Sequence, residues 1–76
     1  MSRRDLFAAV QRAAYSGLSY PETLNLARFA YIVGRLEKHG GNQVRAAKEM
    51  GIHRNTLSRQ MAVLGVDAGQ YRRRDD

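Results

Sequence analysis

Residues 42–64, NQVRAAKEMGIHRNTLSRQMAVL, decide the fold, because two short helical patterns lie here on either side of a glycine. In the first pattern, three apolar residues recur at the spacing of one helical face: Val44, Ala47 and Met50. Asn42 can cap this helix with its side-chain carbonyl. Gly51 follows at the position where a left-handed backbone commonly ends a helix. The pattern therefore predicts a helix over residues 43–50.

A second pattern begins at His53 or Arg54 and ends at Gly65. Its apolar face consists of Leu57, Met61 and Leu64. Its opposite face carries Asn55, Ser58 and Arg59. Two helices joined by a short turn containing glycine form a helix-turn-helix unit, whose second helix lies in the major groove of DNA. The sequence predicts this unit over residues 42–65, and a plain helical hairpin with a solvated polar face is the alternative.

The segment GGNQVRAAKEMGIHRNTLSRQM, residues 40–61, resembles the DNA-binding segment of the Fis family, which includes the C-terminal domains of sigma-54-dependent activators. The shared features, in chain order, are GN at 41–42, RAA at 45–47, MGI at 50–52 and R-x-T-L at 54–57. The resemblance implies an all-α fold of four helices, in which two leading dimerisation helices precede a C-terminal helix-turn-helix. Ser58 departs from the family pattern, since Fis carries an arginine there, and Val44 replaces a hydroxyl residue.

Two sets of side chains are predicted to contact DNA. Arginine presents a fork of donors to guanine, asparagine can bind adenine, and serine reaches either bases or phosphates. Base contacts are predicted for Arg54, Asn55, Ser58 and His53, and for Arg54 and His53 this role is what the resemblance implies. Phosphate contacts are predicted for Asn42, Gln43, Arg45, Thr56 and Arg59, most of them implied by the resemblance as well.

The composition favours a polyanionic partner. The chain of 76 residues has 13 Lys and Arg against 7 Asp and Glu, a net charge of +6. The excess is +3 both before Asn42 (6 basic, 3 acidic) and from Asn42 onward (7 basic, 4 acidic), so charge alone does not locate the site. An ordinary basic surface is the alternative to a binding surface. A single domain this small gains from oligomerisation.

Several function classes find no support in the sequence. There is no cysteine, and the two histidines, His39 and His53, have no carboxylate spaced to share a metal with them. No catalytic motif, cofactor motif or long apolar run occurs. We therefore expect a non-enzymatic protein without metal or cofactor, located in the cytoplasm at the nucleoid rather than at a membrane.

The leading part of the chain predicts two helices that dimerise. Residues 1–18 contain an amphipathic helix over 3–15, and Ser19 to Glu22 matches the capping box of a long helix within 19–41. This long helix is apolar on two stripes, of which one is expected to pack on the helix-turn-helix and the other on a second copy of the chain. The predicted dimer interface comprises Leu6, Phe7, Val10, Leu26, Phe29, Ile32 and Val33. A self-sufficient monomer is the alternative.

Residues 66–76, VDAGQYRRRDD, lack an apolar period and predict a mobile tail. Its arginines, Arg72, Arg73 and Arg74, either contact phosphates or are simply solvated.

The sequence as a whole predicts a homodimeric transcription regulator that binds double-stranded DNA, with the transcription machinery as a further partner. A nucleoid-associated protein that bends DNA with modest selectivity is one alternative. A protein-interaction module that does not bind DNA is another.

Overall fold

The computed structural model describes residues 2–72, in which four α-helices and one 3-10 helix occur and no strand is present. The elements in chain order are α1 (Arg3–Tyr15), α2 (Tyr20–Lys38), α3 (Gln43–Met50), α4 (Arg54–Leu64) and the 3-10 helix η1 (Ala68–Tyr71). The predicted all-α architecture is confirmed. The bounds of the two helices within residues 42–65 also agree with the sequence pattern.

Serine hydroxyls cap both leading helices. At the start of α1, Ser2 and Asp5 form a capping box in which each backbone amide donates to the other residue's side chain at 3.1 Å. This box was not predicted from the sequence. At the start of α2, the Ser19 hydroxyl accepts a hydrogen bond from the Glu22 amide at 3.2 Å, which is half of the predicted capping box.

The core lies between the second half of α2 and the elements α3, α4 and η1. Buried residues come from α2, α3, α4 and η1, and they are Ile32, Leu36, Ala46, Ala47, Leu57, Met61 and Ala68. Among residues 2–72, the largest fully buried side chains are those of Ile32, Leu36 and Leu57. Because the core of the described residues is this small, each of these three carries a large share of the packing energy.

Ile32 was predicted to lie in a dimer interface, and this assignment is wrong. Its side chain is 1% exposed within a single protomer, where it packs in the core beneath the helix-turn-helix. The helical spacing placed Ile32 on one apolar stripe of α2 together with Phe29 and Leu36, and spacing alone could not tell which stripe faces α3 and α4. The structure shows that Ile32 and Leu36 belong to the stripe that faces them.

The other apolar stripe and all of α1 remain largely uncovered. No residue of α1 is buried, and α1 packs on α2. The described residues have a radius of gyration of 13.9 Å and extents of 44 × 25 × 23 Å, whereas a compact chain of this length would have a radius of about 11.4 Å. The molecule is therefore elongated, with apolar side chains exposed on its leading helices.

The prediction of a mobile tail from residue 66 is wrong for its first part. Gly65 ends α4 in a left-handed conformation, and the Val66 amide donates to the Met61 carbonyl at 2.9 Å, which turns the chain back onto the core. Asp67 then caps η1 by accepting from the Gly69 amide at 2.9 Å, and Ala68 is buried. A single buried alanine has no periodic signature, so the sequence did not indicate this docking. Arg73 and Arg74 lie outside the described residues.

Candidate nucleic-acid interface

The N-terminus of α3 is built as an anion-binding end. Asn42 caps the helix, since its Oδ1 accepts from the Arg45 amide at 3.1 Å. The first backbone amides of a helix, here those of Gln43 and Val44, have no acceptor within the helix. Together with the helix dipole, these amides favour a negatively charged group such as a phosphate.

The turn between α3 and α4 is shaped by Gly51 and Ile52. Gly51 has φ +72, the left-handed conformation predicted from its position. The Ile52 amide donates to the Ala47 carbonyl at 3.1 Å, and the Ile52 side chain packs against the core. This closure sets the angle at which α4 leaves α3.

His53 caps α4. Its Nδ1 accepts a hydrogen bond from the Asn55 amide at 3.1 Å. A ring nitrogen that accepts is not protonated, so in this arrangement the imidazole N–H is on Nε2, which points away from the cap. The His53 side chain therefore both stabilises the start of α4 and offers a donor beside it.

Small residues allow α3 and α4 to approach closely. Ala46 and Ala47 are buried on the inner face of α3, and Leu57 and Met61 face them from α4. With these positions inside, the opposite side of α4 is open to solvent. All five polar residues predicted to contact DNA from this helix are exposed: Arg54, Asn55, Thr56, Ser58 and Arg59.

Within residues 2–72, no acidic side chain pairs with the arginines of this region. Among the described residues, Arg45, Arg54 and Arg59 form no ion pair, and the three are exposed. The single acidic residue of the segment 42–64 is Glu49. Its position therefore determines whether this surface is uniformly basic.

Glu49 is held against α2. Its carboxylate is contacted by Arg35 Nη1 and His39 Nε2, and Lys38 Nζ lies 2.8 Å from Oε1. The hydrogen bond from Lys38, followed by that from His39, lowers the pKa of Glu49 from 4.5 to about 2. The Arg35 guanidinium also lies 5.2 Å from the centre of the Tyr31 ring. This cluster joins α2 to α3 and neutralises the one acid of the segment 42–64, and it was not predicted from the sequence.

Two residues of the predicted interface bind each other. The Ser58 hydroxyl donates to Gln43 Oε1 at 3.1 Å and so connects α4 to the first turn of α3. Ser58 was predicted to contact bases and Gln43 to contact phosphates. Gln43 is half-buried and Ser58 is exposed, and their contacts with DNA stay predictions.

The family comparison agrees with this geometry. Residues 29–63 match the model of the Fis family of bacterial regulatory proteins. This match supports a Fis-type helix-turn-helix domain over residues 29–63. The match begins in the second half of α2 and ends one residue before the end of α4, so it covers the core helices and leaves out α1 and η1. No curated protein and no solved structure matched the chain.

The Fis-type domain is a DNA-binding regulatory unit, and its partner is double-stranded DNA. Domains of this family are regulators rather than enzymes. Within residues 2–72, no group of histidine and acidic side chains is arranged to hold a metal ion. No helix in the same range has the length and apolar character needed to cross a bilayer.

Proposed function

We propose that this protein is a homodimeric transcription regulator, each protomer of which inserts α4 into the major groove of double-stranded DNA. The observation that carries the proposal is the charge arrangement of the helix-turn-helix. Three exposed arginines lie without an acidic partner among residues 2–72, while Glu49 is bound by basic groups of α2. Such a surface suits the phosphates and guanine edges of a duplex.

Arg54 is the principal base reader in this proposal. It is the first residue of α4 and is exposed, and the N-terminal residues of a recognition helix are those that reach base edges. Asn55 and His53 are adjacent donors that can adapt to neighbouring bases. Ser58 contributes to base reading or holds Gln43 in place through their hydrogen bond.

The remaining polar residues set the register on the DNA backbone. Gln43 and the capped N-terminus of α3 would approach one phosphate, as amides at helix starts commonly do. Arg45 and Arg59 would contact phosphates on either side of the groove, and Thr56 and Asn42 would support them. These contacts give affinity and orientation but little sequence selectivity.

The exposed apolar surface of the leading helices supports dimerisation. Phe7 on α1 is 66% exposed and Leu26 on α2 is 59% exposed, and no residue of α1 is buried in the protomer. The proposed interface consists of Leu6, Phe7, Val10, Leu26, Phe29 and Val33. A dimer built on these residues would present two α4 helices to half-sites about 34 Å apart.

A salt titration tests the proposal. The full chain is titrated against a duplex selected from a random pool, with binding followed by fluorescence anisotropy between about 50 and 200 mM salt. Arg45 and Arg59 of two protomers would neutralise four phosphates and so contribute about −3.6 to the slope of log affinity against log salt. A slope near zero would favour the protein-interaction module and contradict the proposal.

Two substitutions separate base reading from phosphate binding. Arg54→Ala is expected to cost about 1–3 kcal/mol on the selected duplex and to relax the preference at one base pair. Arg59→Ala is expected to weaken all duplexes alike and to make the salt slope shallower by about 1 for each bound protomer. Arg12→Ala, in the last turn of α1, is the matched control. If Arg54→Ala weakened all sequences equally, the protein would fit the nucleoid-associated alternative better than a selective regulator.

A further inference from the structure

The 3-10 helix η1 packs against the glycine turn that precedes α3. A Cβ atom at Gly41 would lie 2.7 Å from the Ala68 carbonyl oxygen, 3.2 Å from the Arg72 amide nitrogen and 3.3 Å from Arg72 Cγ. Gly41 also has φ +83, a conformation that side chains other than glycine rarely adopt. Position 41 therefore requires glycine for two reasons. The residues 68–72 leave no room for a Cβ atom, and the backbone conformation is left-handed.

This packing holds Arg72 beside the N-terminus of α3. Gly41 immediately precedes Asn42, the N-cap of α3, and the amide nitrogen and Cγ of Arg72 lie within 3.3 Å of the place that a Cβ at Gly41 would take. The segment is anchored by buried Ala68 and by Tyr71, which packs against the core. Arg72 itself is exposed and forms no ion pair with any residue from 2 to 72. Its chain position is thus restrained, and its side chain is exposed.

We propose that Arg72 is a further phosphate-binding residue of the DNA interface, and that η1 is the element that carries it to the N-terminus of α3. This inference rests on the proposed function, since it assumes that the N-terminus of α3 faces the DNA backbone. The family match ends at residue 63 and so does not account for η1 or Arg72.

The chemistry of the two groups is complementary. Arg72 would supply a planar fork of donors, and the first amides of α3 would supply further donors to the same or the adjacent phosphate. Because η1 already restrains the backbone of Arg72, less conformational freedom is lost on binding than for an arginine in an unrestrained tail. Asp67, the one acidic residue within 66–72, is engaged as the cap of η1 through the Gly69 amide.

The test compares the salt slopes of Arg72→Ala and Arg12→Ala with that of the parent chain on one duplex. Both variants lose one positive charge, so a general effect of net charge would move both slopes equally. Arg72→Ala is expected to make the slope shallower by about 0.9 for each bound protomer, and Arg12→Ala is expected to leave it unchanged. Arg72→Lys retains the charge and should keep the slope of the parent.

A second variant tests whether η1 is required. Tyr71→Ala removes an anchoring side chain without changing any charge, and the fold is checked by circular dichroism. It is expected to reduce the salt slope in the parent chain and to have no further effect when Arg72 is already alanine. Equal reductions in both backgrounds would show that η1 does not act through Arg72.

The outcomes distinguish this inference from the proposed function. A steep parent slope that Arg72→Ala leaves unchanged would overturn the role of Arg72 and leave DNA binding intact. A parent chain whose affinity does not depend on salt would overturn both.

Discussion

Ile32→Ala tests where the core of the protomer lies. The Ile32 side chain is 1% exposed and is one of three large, fully buried side chains. Truncating such a residue to alanine costs about 2–5 kcal/mol through lost burial and a residual cavity. A domain of this length is stable by roughly 4–11 kcal/mol in total, so this one change would remove a large part of the free energy of unfolding. The melting temperature should fall by at least about 8 °C.

The assay is urea unfolding followed by circular dichroism at several protein concentrations. Concentration matters because a dimer is stabilised by mass action. If Ile32 packs within the protomer, the loss in free energy of unfolding should be the same at every concentration. Leu26→Ala, at a position 59% exposed in the protomer, should instead destabilise the protein only at concentrations where the parent is dimeric.

Val63→Ala provides the control for solvent-exposed apolar truncation. Val63 is 84% exposed on α4, so its truncation to alanine should change the free energy of unfolding by less than about 0.5 kcal/mol. An Ile32→Ala loss no greater than that of Val63→Ala would refute the packing argument. An Ile32→Ala loss that disappears on dilution would refute it as well, because such a loss would mean that Ile32 lies in a dimer interface.

Three further predictions concern the dimer, the Glu49 cluster and the turn. Phe7→Glu introduces a charge on the uncovered face of α1. In sedimentation the protein should shift toward the monomer, while the helical signal in circular dichroism stays unchanged. An unchanged dimer would contradict the proposed interface. The pKa of Glu49 is lowered on folding, so its contribution to stability should be fully present above about pH 4.5 and disappear as pH falls through about 2. The stability difference between the parent and Glu49→Gln, measured by urea unfolding, should therefore shrink across that range, and a constant difference would count against the cluster. Gly51→Ala should destabilise the domain by about 1 kcal/mol or more in thermal unfolding, because φ at this residue is +72. No neighbouring atom lies within 4 Å of the added Cβ, so backbone strain is the cause of the expected loss. A neutral result would mean that the turn relaxes without strain.

Local signals were sufficient to predict the helix-turn-helix. The bounds of α3 and α4 follow from apolar spacing, from the caps Asn42 and His53, and from the glycines at 51 and 65. Each of these features acts over one or two turns of helix, so neighbouring residues encode it. The same holds for the outward position of Arg54 and Arg59, because burying the Leu57 and Met61 face exposes the opposite one.

The leading helices could be predicted only in part. Their bounds and the Ser19 cap depend on nearby residues. Which element covers each apolar stripe of α2 does not depend on nearby residues. Ile32 was misassigned for this reason. Helical periodicity specifies which residues share a face, whereas the element that covers that face depends on how distant segments pack.

The sequence by itself determined the four α-helices, their ends and the basic outer face of α4, because these depend on contacts within a few residues. Only the tertiary structure decided that Ile32 is a core residue, that Glu49 is bound to α2, that Ser58 bonds to Gln43 and that η1 lies on Gly41. Each of these contacts joins residues ten or more positions apart, and side chains so far apart meet only after α3, α4 and η1 have packed on α2.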